Sequence, residues 1–308
     1  MADLRELLRG TLAGERRALA RLLTAIENDA PGVRDILPDL LAAGRGAHLV
    51  GITGPPGSGK STLVSALTAE WRRRGRRVGV VAVDPSSPFT GGSIMGDRIR
   101  MMDHAADPDV FVRSMAARGE LGGLAGATWL AVAALDAAGY DPVVIETVGA
   151  GQSEIEIARL AETTVVVEVP EMGDEVQAIK AGLLEVADLI VVNKGDRPGA
   201  ELAARQLRAM LSSAGGRITR QPPSILVTTA VSGEGVAALA DAIDEHKVAA
   251  RSPEQARQRA RNQLRRAVAE LGVRGATDHP DWEAQVEAIA ERRLDPVTAA
   301  ERLLGHRS

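Results

Sequence analysis

The chain has 308 residues, about twice the commonest domain length, so it accommodates one large domain with appendages or two small ones. Hydrophobic residues make up 45% and charged residues 25%, which is near the average of globular proteins and is enough for a sizeable core. The net charge of −4 argues against nucleic-acid binding by bulk electrostatics, and the lack of cysteine excludes disulfides, cysteine zinc sites, iron–sulfur ligation and a thiol nucleophile.

The first 46 residues predict short amphipathic helices. Leu4, Leu7, Leu8 and Leu12 fall on one helical face, and the same spacing recurs after residue 19. The N-terminus is charged from its start, so we expect no signal peptide. No apolar run approaches the roughly 20 residues of a membrane span, so we expect no membrane partner and a cytoplasmic location.

From residue 48 the pattern changes to short apolar runs that alternate with helical stretches. The runs predict strands at residues 48–53, 78–83, 110–112, 142–147, 163–169, 189–192 and 225–228. Helices are predicted between them at residues 61–74, 121–138, 154–161, 199–212 and 235–246. Several runs lack polar alternation, which is typical of parallel strands covered on both faces. The predicted fold class is therefore a doubly wound α/β domain with a mostly parallel sheet.

After residue 250 the strand pattern stops, and helices are predicted at residues 251–271, 282–293 and 296–304. We therefore expect an N-terminal helical segment (residues 1–46), an α/β domain (47–250) and a C-terminal helical arm (251–308). Both helical parts carry apolar stripes without a sheet of their own to cover. We expect them to pack on the α/β domain and the C-terminal arm to form a homodimer. The arginines of the arm read as a solvated helix face rather than a nucleic-acid patch.

A phosphate-binding motif lies between the first predicted strand and the helix that follows it. Residues 54–62 match G-x-x-x-x-G-K-[ST], with Gly54, Pro55, Pro56, Gly57, Ser58, Gly59, Lys60, Ser61 and Thr62 in sequence. Glycines let backbone N–H groups converge on phosphate oxygens at a helix N-terminus. Lys60 is predicted to reach the β- and γ-phosphates and Ser61 to bind Mg²⁺. Only four of the 37 basic residues are lysines, which favours a specific role for Lys60.

A later strand ends in a motif that distinguishes between nucleotide bases. Asn193, Lys194 and Asp196 form N-K-x-D directly after the apolar run 189–192. An aspartate can accept both N1–H and the N2 amino group of guanine, and adenine offers no such pair of donors. Lys194 is expected to lie along the base plane and Asn193 to connect neighbouring loops. Val231, Ser232 and Gly233 follow the last strand, where GTPases place a loop against the guanine edge.

Two carboxylates follow predicted strands on the same side of the sheet as the phosphate motif. Asp84 ends the second strand and Glu146 ends the fourth. Carboxylates at the carboxyl ends of strands beside a phosphate loop are placed to hold Mg²⁺ directly or through water. The alternative is that both are helix caps.

Four segments together give the chain a family resemblance: VDPSSPFTGGSIMGDRIRM, ETVGAGQSE, GDEVQAIKAGLLEVADLIVVNKGDRPGA and TTAVSGEG. They resemble the MeaB/ArgK family of P-loop GTPases, over residues 48–246. The resemblance implies a GTP-hydrolysing chaperone of a cobalamin-dependent acyl-CoA mutase, chiefly methylmalonyl-CoA mutase. Such proteins gate cofactor delivery and protect or reactivate the mutase. A homodimer is implied as well.

The resemblance assigns roles residue by residue. It implies that Asp84 and Asp97 lie in the first switch and serve Mg²⁺ and the attacking water, and that Glu146 replaces the usual aspartate of D-x-x-G. Residues 171–180 resemble a third switch that reports the nucleotide state to the mutase. Within it, Gln177 and Lys180 share a helical face and are expected to carry that signal.

Two other functions remain open from the residues alone. A P-loop small-molecule kinase would prefer ATP and need an acceptor pocket. A metal-insertion GTPase needs clustered cysteine or histidine ligands, whereas the five histidines show no cluster in the sequence. The sequence does not name the client mutase.

Overall fold

A computed structural model describes residues 3–84, 104, 106–116, 123–147, 160–170, 186–213, 222–250, 252–291 and 293–305. Its strands are β1 (Leu49–Thr53), β2 (Val78–Asp84), β3 (Val110–Ala116), β4 (Val143–Thr147), β5 (Thr163–Glu168), β6 (Leu189–Val192) and β7 (Ser224–Val227). They form one seven-stranded sheet in the order β3-β2-β4-β1-β5-β6-β7, and every neighbouring pair is parallel. The predicted doubly wound α/β fold is confirmed.

The helices of the α/β domain are α4 (Lys60–Arg73), α5 (Gly123–Ala137), α6 (Ala200–Ser213) and α7 (Val236–Ala250). The N-terminal helices are α1 (Leu4–Leu12), α2 (Arg16–Glu27) and α3 (Val33–Ala42). The C-terminal helices are α8 (Pro253–Thr277), α9 (Trp282–Ala290) and α10 (Pro296–Leu303). No described helix is long and apolar enough to cross a membrane.

The sheet is covered on both faces, which explains why its central strands are apolar without alternation. Val143 and Ile145 of β4 pack with α5, whereas Val144 between them packs with α4 and α7. Every residue of β1, β4 and β5 is buried. Each buried valine or isoleucine side chain contributes about 1.5–3 kcal/mol of transfer free energy, so these strands anchor the fold.

The N-terminal helices pack on α5 through one apolar face, as their spacing predicts. Leu19, Leu22 and Leu23 of α2 are almost completely buried in the core that α5 shares with β2 and β4. Polar contacts also join α2 to the edge strand β3. The Arg16 guanidinium donates to the Val110 carbonyl oxygen at 2.6 Å, and Glu27 forms an ion pair with Arg113.

Several element ends differ from the sequence prediction; α7, for example, ends at Ala250 instead of residue 246. Strand β3 continues to Ala116 because it pairs with β2 along its whole length, from Val78 opposite Val110 to Asp84 opposite Ala116. Helix α8 continues to Thr277 instead of ending near residue 271. The helix predicted at residues 154–161 lies almost wholly outside the described residues.

Candidate functional site

The phosphate loop connects the end of β1 to the start of α4 and depends on two glycines. Gly54 has φ +142°, and a Cβ atom there would lie 2.2 Å from the Val167 carbonyl oxygen. Gly59 has φ +89°, and a Cβ there would lie 2.5 Å from Asn193 Nδ2. Only glycine combines these backbone conformations with such close approaches. The loop therefore delivers the first N–H groups of α4 to one point, where the helix dipole favours an anion.

Lys60 is the first residue of α4, and its side chain turns back over the loop. Its ammonium donates to the carbonyl oxygens of Gly54 at 2.7 Å and Pro55 at 2.9 Å. Only 6% of the residue is exposed. The positive charge is thus held beside the N–H groups of the loop, and a charge in such a low-dielectric position acts strongly on a neighbouring anion.

A group of buried oxygen atoms lies next to the loop at the end of β4. The Ser61 hydroxyl donates to Glu146 Oε1 at 2.5 Å, and both side chains are buried. Beneath them, the Thr147 hydroxyl donates to Thr53 Oγ1 at 3.2 Å, which joins the ends of β4 and β1. Hydroxyl and carboxylate oxygens are the ligands that Mg²⁺ prefers, so the donor set fits this ion.

The other predicted switch residues are described only in part. The backbone of Asp84 ends β2 beside β4, where Ala82 of β2 pairs with Glu146 and Val83 pairs with Thr147. Asp97, Gln177 and Lys180 lie outside the described residues.

Asn193 joins the phosphate loop to the loops after β6 and β7. Its Nδ2 donates to the Ser58 carbonyl oxygen at 2.9 Å. Its Oδ1 accepts from the Thr228 hydroxyl and from the Ala230 backbone N–H, both at 3.2 Å. The expectation that this side chain connects neighbouring loops is confirmed. A buried amide with these partners fixes three loops relative to one another.

Lys194 and Asp196 flank a tight turn after β6. Lys194 has φ +59°, and its ammonium donates to the Gly57 carbonyl oxygen of the phosphate loop at 2.8 Å. Asp196 is exposed. Gly195 donates its N–H to the Thr228 carbonyl oxygen at 2.9 Å, and a Cβ there would meet Val227 Cγ1 at 2.8 Å. The turn is therefore packed against β7 on one side and leaves Asp196 accessible on the other.

The loop after β7 forms one wall of a cavity of about 710 Å³. Val231 in this loop is 89% exposed, and Gly233 has φ +81°. Thr62 and His104 line other parts of the cavity. Sequence reasoning placed residues 231–233 at a base site but missed His104, because its position depends on a contact with Ser65 that is distant in sequence.

At the carboxyl ends of β1, β4 and β6, the site combines a cation beside a helix N-terminus, buried oxygen ligands, and an accessible carboxylate. The first can hold a polyphosphate, the second a hard cation and the third the hydrogen-bond donors of a base. Ligands of open α/β sheets bind at this edge.

Comparison with known proteins agrees with this arrangement. The sequence model of the family described as Methylmalonyl Co-A mutase-associated GTPase MeaB matches residues 19–279. A protein of Pyrococcus abyssi is 43% identical, over 97% of this chain and 95% of its own length. The GTPase ArgK of Escherichia coli is 39% identical, over 80% of this chain and 77% of its own.

A solved structure is similar along nearly the whole chain. The crystal structure of a LAO/AO transport system kinase superposes with a TM-score of 0.72 and 26% identity, and the match covers 98% of each chain. Family match, sequence relatives and fold agree. The chain belongs to the MeaB family of P-loop GTPases.

Proposed function

We propose that this protein is a Mg²⁺-dependent GTP hydrolase that gates cobalamin loading of an acyl-CoA mutase, and protects or reactivates that mutase. The observation that carries the nucleotide assignment is the bridge made by Asn193, which ties the phosphate loop to the two loops of the base motif. A P-loop kinase has no need of a rigid guanine motif joined to its phosphate loop. The mutase assignment is supported by the description of the family.

The phosphate end of the site would stabilise the charge that develops during hydrolysis. Lys60 and the N–H groups at the start of α4 would contact the β- and γ-phosphates. Ser61 and Glu146 would hold Mg²⁺, with Asp84 and Asp97 as further acids of the first switch. The bound ion supplies positive charge to the β- and γ-phosphate oxygens. Water would attack the γ-phosphorus, the bond to the β–γ bridging oxygen would break, and GDP and phosphate would leave.

The base end would select guanine through Asp196, with the stem of Lys194 along the base and residues 231–233 at its edge. We expect Asp196→Asn to weaken GTP binding by about 2–4 kcal/mol, because a charge-assisted pair of hydrogen bonds is lost. The same change should improve binding of xanthosine triphosphate, since xanthine has an acceptor where guanine has the amino group. Calorimetric titration with GTP, ATP and xanthosine triphosphate measures all three. Unchanged GTP affinity rejects the guanine assignment, and a preference for ATP in the wild type favours the kinase.

Mutase action needs its own test. Steady-state GTP hydrolysis should be compared with and without candidate apo-mutases, and a large stimulation by one of them identifies the client. Lys180→Ala should leave GTP affinity and basal hydrolysis within a few-fold of wild type but remove most of that stimulation. If stimulation persists, Lys180 and Gln177 do not carry the signal. Lack of stimulation by every mutase tested argues against the chaperone role.

The C-terminal arm is the proposed dimer interface. Leu264, Val268 and Leu271 of α8 are 65%, 62% and 53% exposed. Their spacing places them on one helical face, and a contiguous exposed apolar face is typical of an interaction surface. Removing residues 251–308 should give a monomer by light scattering that still binds GTP. A dimer that survives this truncation moves the interface to the α/β domain.

A further inference from the structure

The cavity beside the loop after β7 is lined by a residue next to the proposed phosphate position and by residues of the loop proposed for the base. Thr62 lines it directly after the phosphate-binding Lys60 and Ser61, and residues 231–233 line it from the base side. The sugar of a nucleotide connects those two ends. Ser65, one helical turn or about 4.5 Å further along α4 than Thr62, also faces the cavity. His104 contacts Ser65 and contributes its ring to the same wall.

The contacts of His104 define its tautomer. Its Nε2 lies 3.0 Å from the Ser65 carbonyl oxygen and 3.0 Å from the Ser65 hydroxyl oxygen. A carbonyl oxygen only accepts hydrogen bonds, so Nε2 carries the proton and donates it. In the neutral ring Nδ1 is then an acceptor. Because Nε2 is held by the backbone of α4, the acceptor belongs to a rigid part of the cavity wall.

The other charged side chains of the cavity wall are engaged with each other. Glu70 accepts two hydrogen bonds from Arg73, at 2.7 and 2.9 Å, and both residues line the cavity farther along α4 than Ser65. Among the described residues that line the cavity, His104 is the one other titratable group, and an uncharged acceptor suits a neutral donor. A sugar hydroxyl is such a donor, and it is present in ribonucleotides at the position between phosphate and base.

We propose that His104 is a specificity residue that accepts a hydrogen bond from a ribose hydroxyl of the bound nucleotide. This rests on the proposed assignment of GTP as the ligand. It makes the site selective for ribonucleotides through the sugar, in addition to the selection of guanine through Asp196. The Ser65 hydroxyl and carbonyl oxygens act as positioning groups, because they hold the imidazole ring.

The test compares GTP, 2′-deoxy-GTP and 3′-deoxy-GTP by calorimetric titration of the full-length protein at one Mg²⁺ concentration. Wild type should bind GTP about 2- to 13-fold more tightly than one of the deoxynucleotides, which is the range of a single hydrogen bond. His104→Ala should lose this preference by binding GTP more weakly while its affinity for that deoxynucleotide stays unchanged. His279→Ala, in the C-terminal part of the chain, is the matched control and should keep the preference.

The outcomes separate this inference from the nucleotide assignment. Wild type that binds GTP but does not distinguish it from either deoxynucleotide overturns the role of His104, and this result is independent of whether any variant folds. A preference that persists in a folded His104→Ala protein overturns it as well. Wild type that fails to bind GTP, or prefers ATP, refutes the proposed function itself.

Discussion

The two ends of the sheet both concentrate charged side chains, but they use them in opposite ways. At the amino end, arginines form ion pairs with carboxylates: Arg72 with Asp107 and Asp109, both at 2.8 Å, and Arg76 with Asp244 at 2.6 Å. At the carboxyl end, Lys60 and Lys194 donate to carbonyl oxygens of the phosphate loop. A carbonyl carries a partial charge, whereas a carboxylate carries a full one.

This difference separates stability from function. Carboxylate pairing at the amino end compensates each cation and connects α4, the loop before β3 and α7. Hydrogen bonds to carbonyls at the other end hold the ammonium groups of Lys60 and Lys194 against the phosphate loop, where a positive charge favours the binding of an anion. The few lysines of the chain show the same difference between the two ends. Lys247 at the amino end pairs with the Asp141 carboxylate at 2.9 Å, whereas Lys60 and Lys194 donate to carbonyl oxygens.

Replacing the lysines by alanine one at a time tests whether the two ends of the sheet differ in function. Lys60→Ala should reduce GTP hydrolysis by at least about 100-fold, because a preorganised charge at the phosphates is removed. Lys247→Ala is the matched control and should leave hydrolysis unchanged while it lowers the melting temperature. Phosphate release and thermal unfolding measure the two effects. Normal turnover by Lys60→Ala refutes the phosphate site.

A second pair of variants tests the link between the phosphate loop and the base loop. Gly59→Ala and Gly57→Ala both place a side chain at positive φ, +89° and +77°, which costs about 1–2 kcal/mol in each. Only the first adds a methyl 2.5 Å from Asn193 Nδ2, whereas nothing lies within 4 Å of a Cβ at Gly57. Displacing the buried amide costs a further 1–3 kcal/mol or about 5- to 160-fold in GTP affinity. Equal affinity of the two variants for GTP would show that Asn193 does not couple the loops.

At the amino end, Asp141→Asn should affect stability alone. Burial raises the pKa of Asp141. The hydrogen bonds from the His48 backbone N–H and from Lys247 together lower it by a larger amount, so the pKa lies below its ordinary value. Its ionised form therefore stabilises the fold near neutral pH, and this contribution is lost as the pH falls below about 4. The variant should lose about 1 kcal/mol of unfolding free energy at pH 7 and bind GTP normally.

Asp241→Asn is the control for Asp141→Asn. Its carboxylate is 63% exposed and pairs with Arg74. Exposed pairs contribute little, so we expect a change within about 0.5 kcal/mol in urea unfolding. A lower GTP affinity of Asp141→Asn would mean that the two ends of the sheet are coupled and that the amino end does not serve stability alone.

A small effect is also expected at Glu70, which belongs to α4 between the two ends. Hydrogen bonds from Arg73 and then Arg74 lower the pKa of Glu70 from 4.5 to about 2. A lowered carboxyl pKa gives stability that is complete above pH 4.5 and is lost as the pH falls towards 2. Glu70→Gln should therefore be less stable than wild type by about 0.5 kcal/mol at pH 7 in urea unfolding. The stability difference between Glu70→Gln and wild type should shrink between pH 4.5 and 2. A difference that does not change with pH would mean that packing, and not the charge of Glu70, causes it.

The sequence was informative wherever a function depends on neighbouring residues. The phosphate loop was predictable because Gly54, Gly59 and Lys60 lie within seven consecutive residues and the strand before them is apolar. The base motif was predictable for the same reason, and so was the bridging role of Asn193, although not its partner, the Ser58 carbonyl oxygen. Strand β3 was predicted too short, since its second half contains Arg113 and Ser114 and is held by pairing with β2.

Contacts between distant segments were outside the reach of the sequence. The histidines show no cluster along the chain, yet His48 Nε2 and His246 Nδ1 both lie 2.8 Å from the Thr163 hydroxyl at the amino end of the sheet. His104 gained a place in the cavity wall through Ser65 in the same way. Neither contact can be recognised from residues that are neighbours in the sequence.

The sequence by itself determined the α/β fold class and the apolar faces of the helices, and it predicted the phosphate loop and the base motif. The fold class follows from apolar runs that alternate with helical stretches, the helix faces follow from a period of 3.6 residues, and the two motifs consist of residues that are close in sequence. Only the tertiary structure decided the strand order, the packing of α1–α3 on α5, the bond between Ser61 and Glu146, and the place of His104. These depend on which strand ends become neighbours, and the order of strands in a sheet is set by the burial of all its faces together.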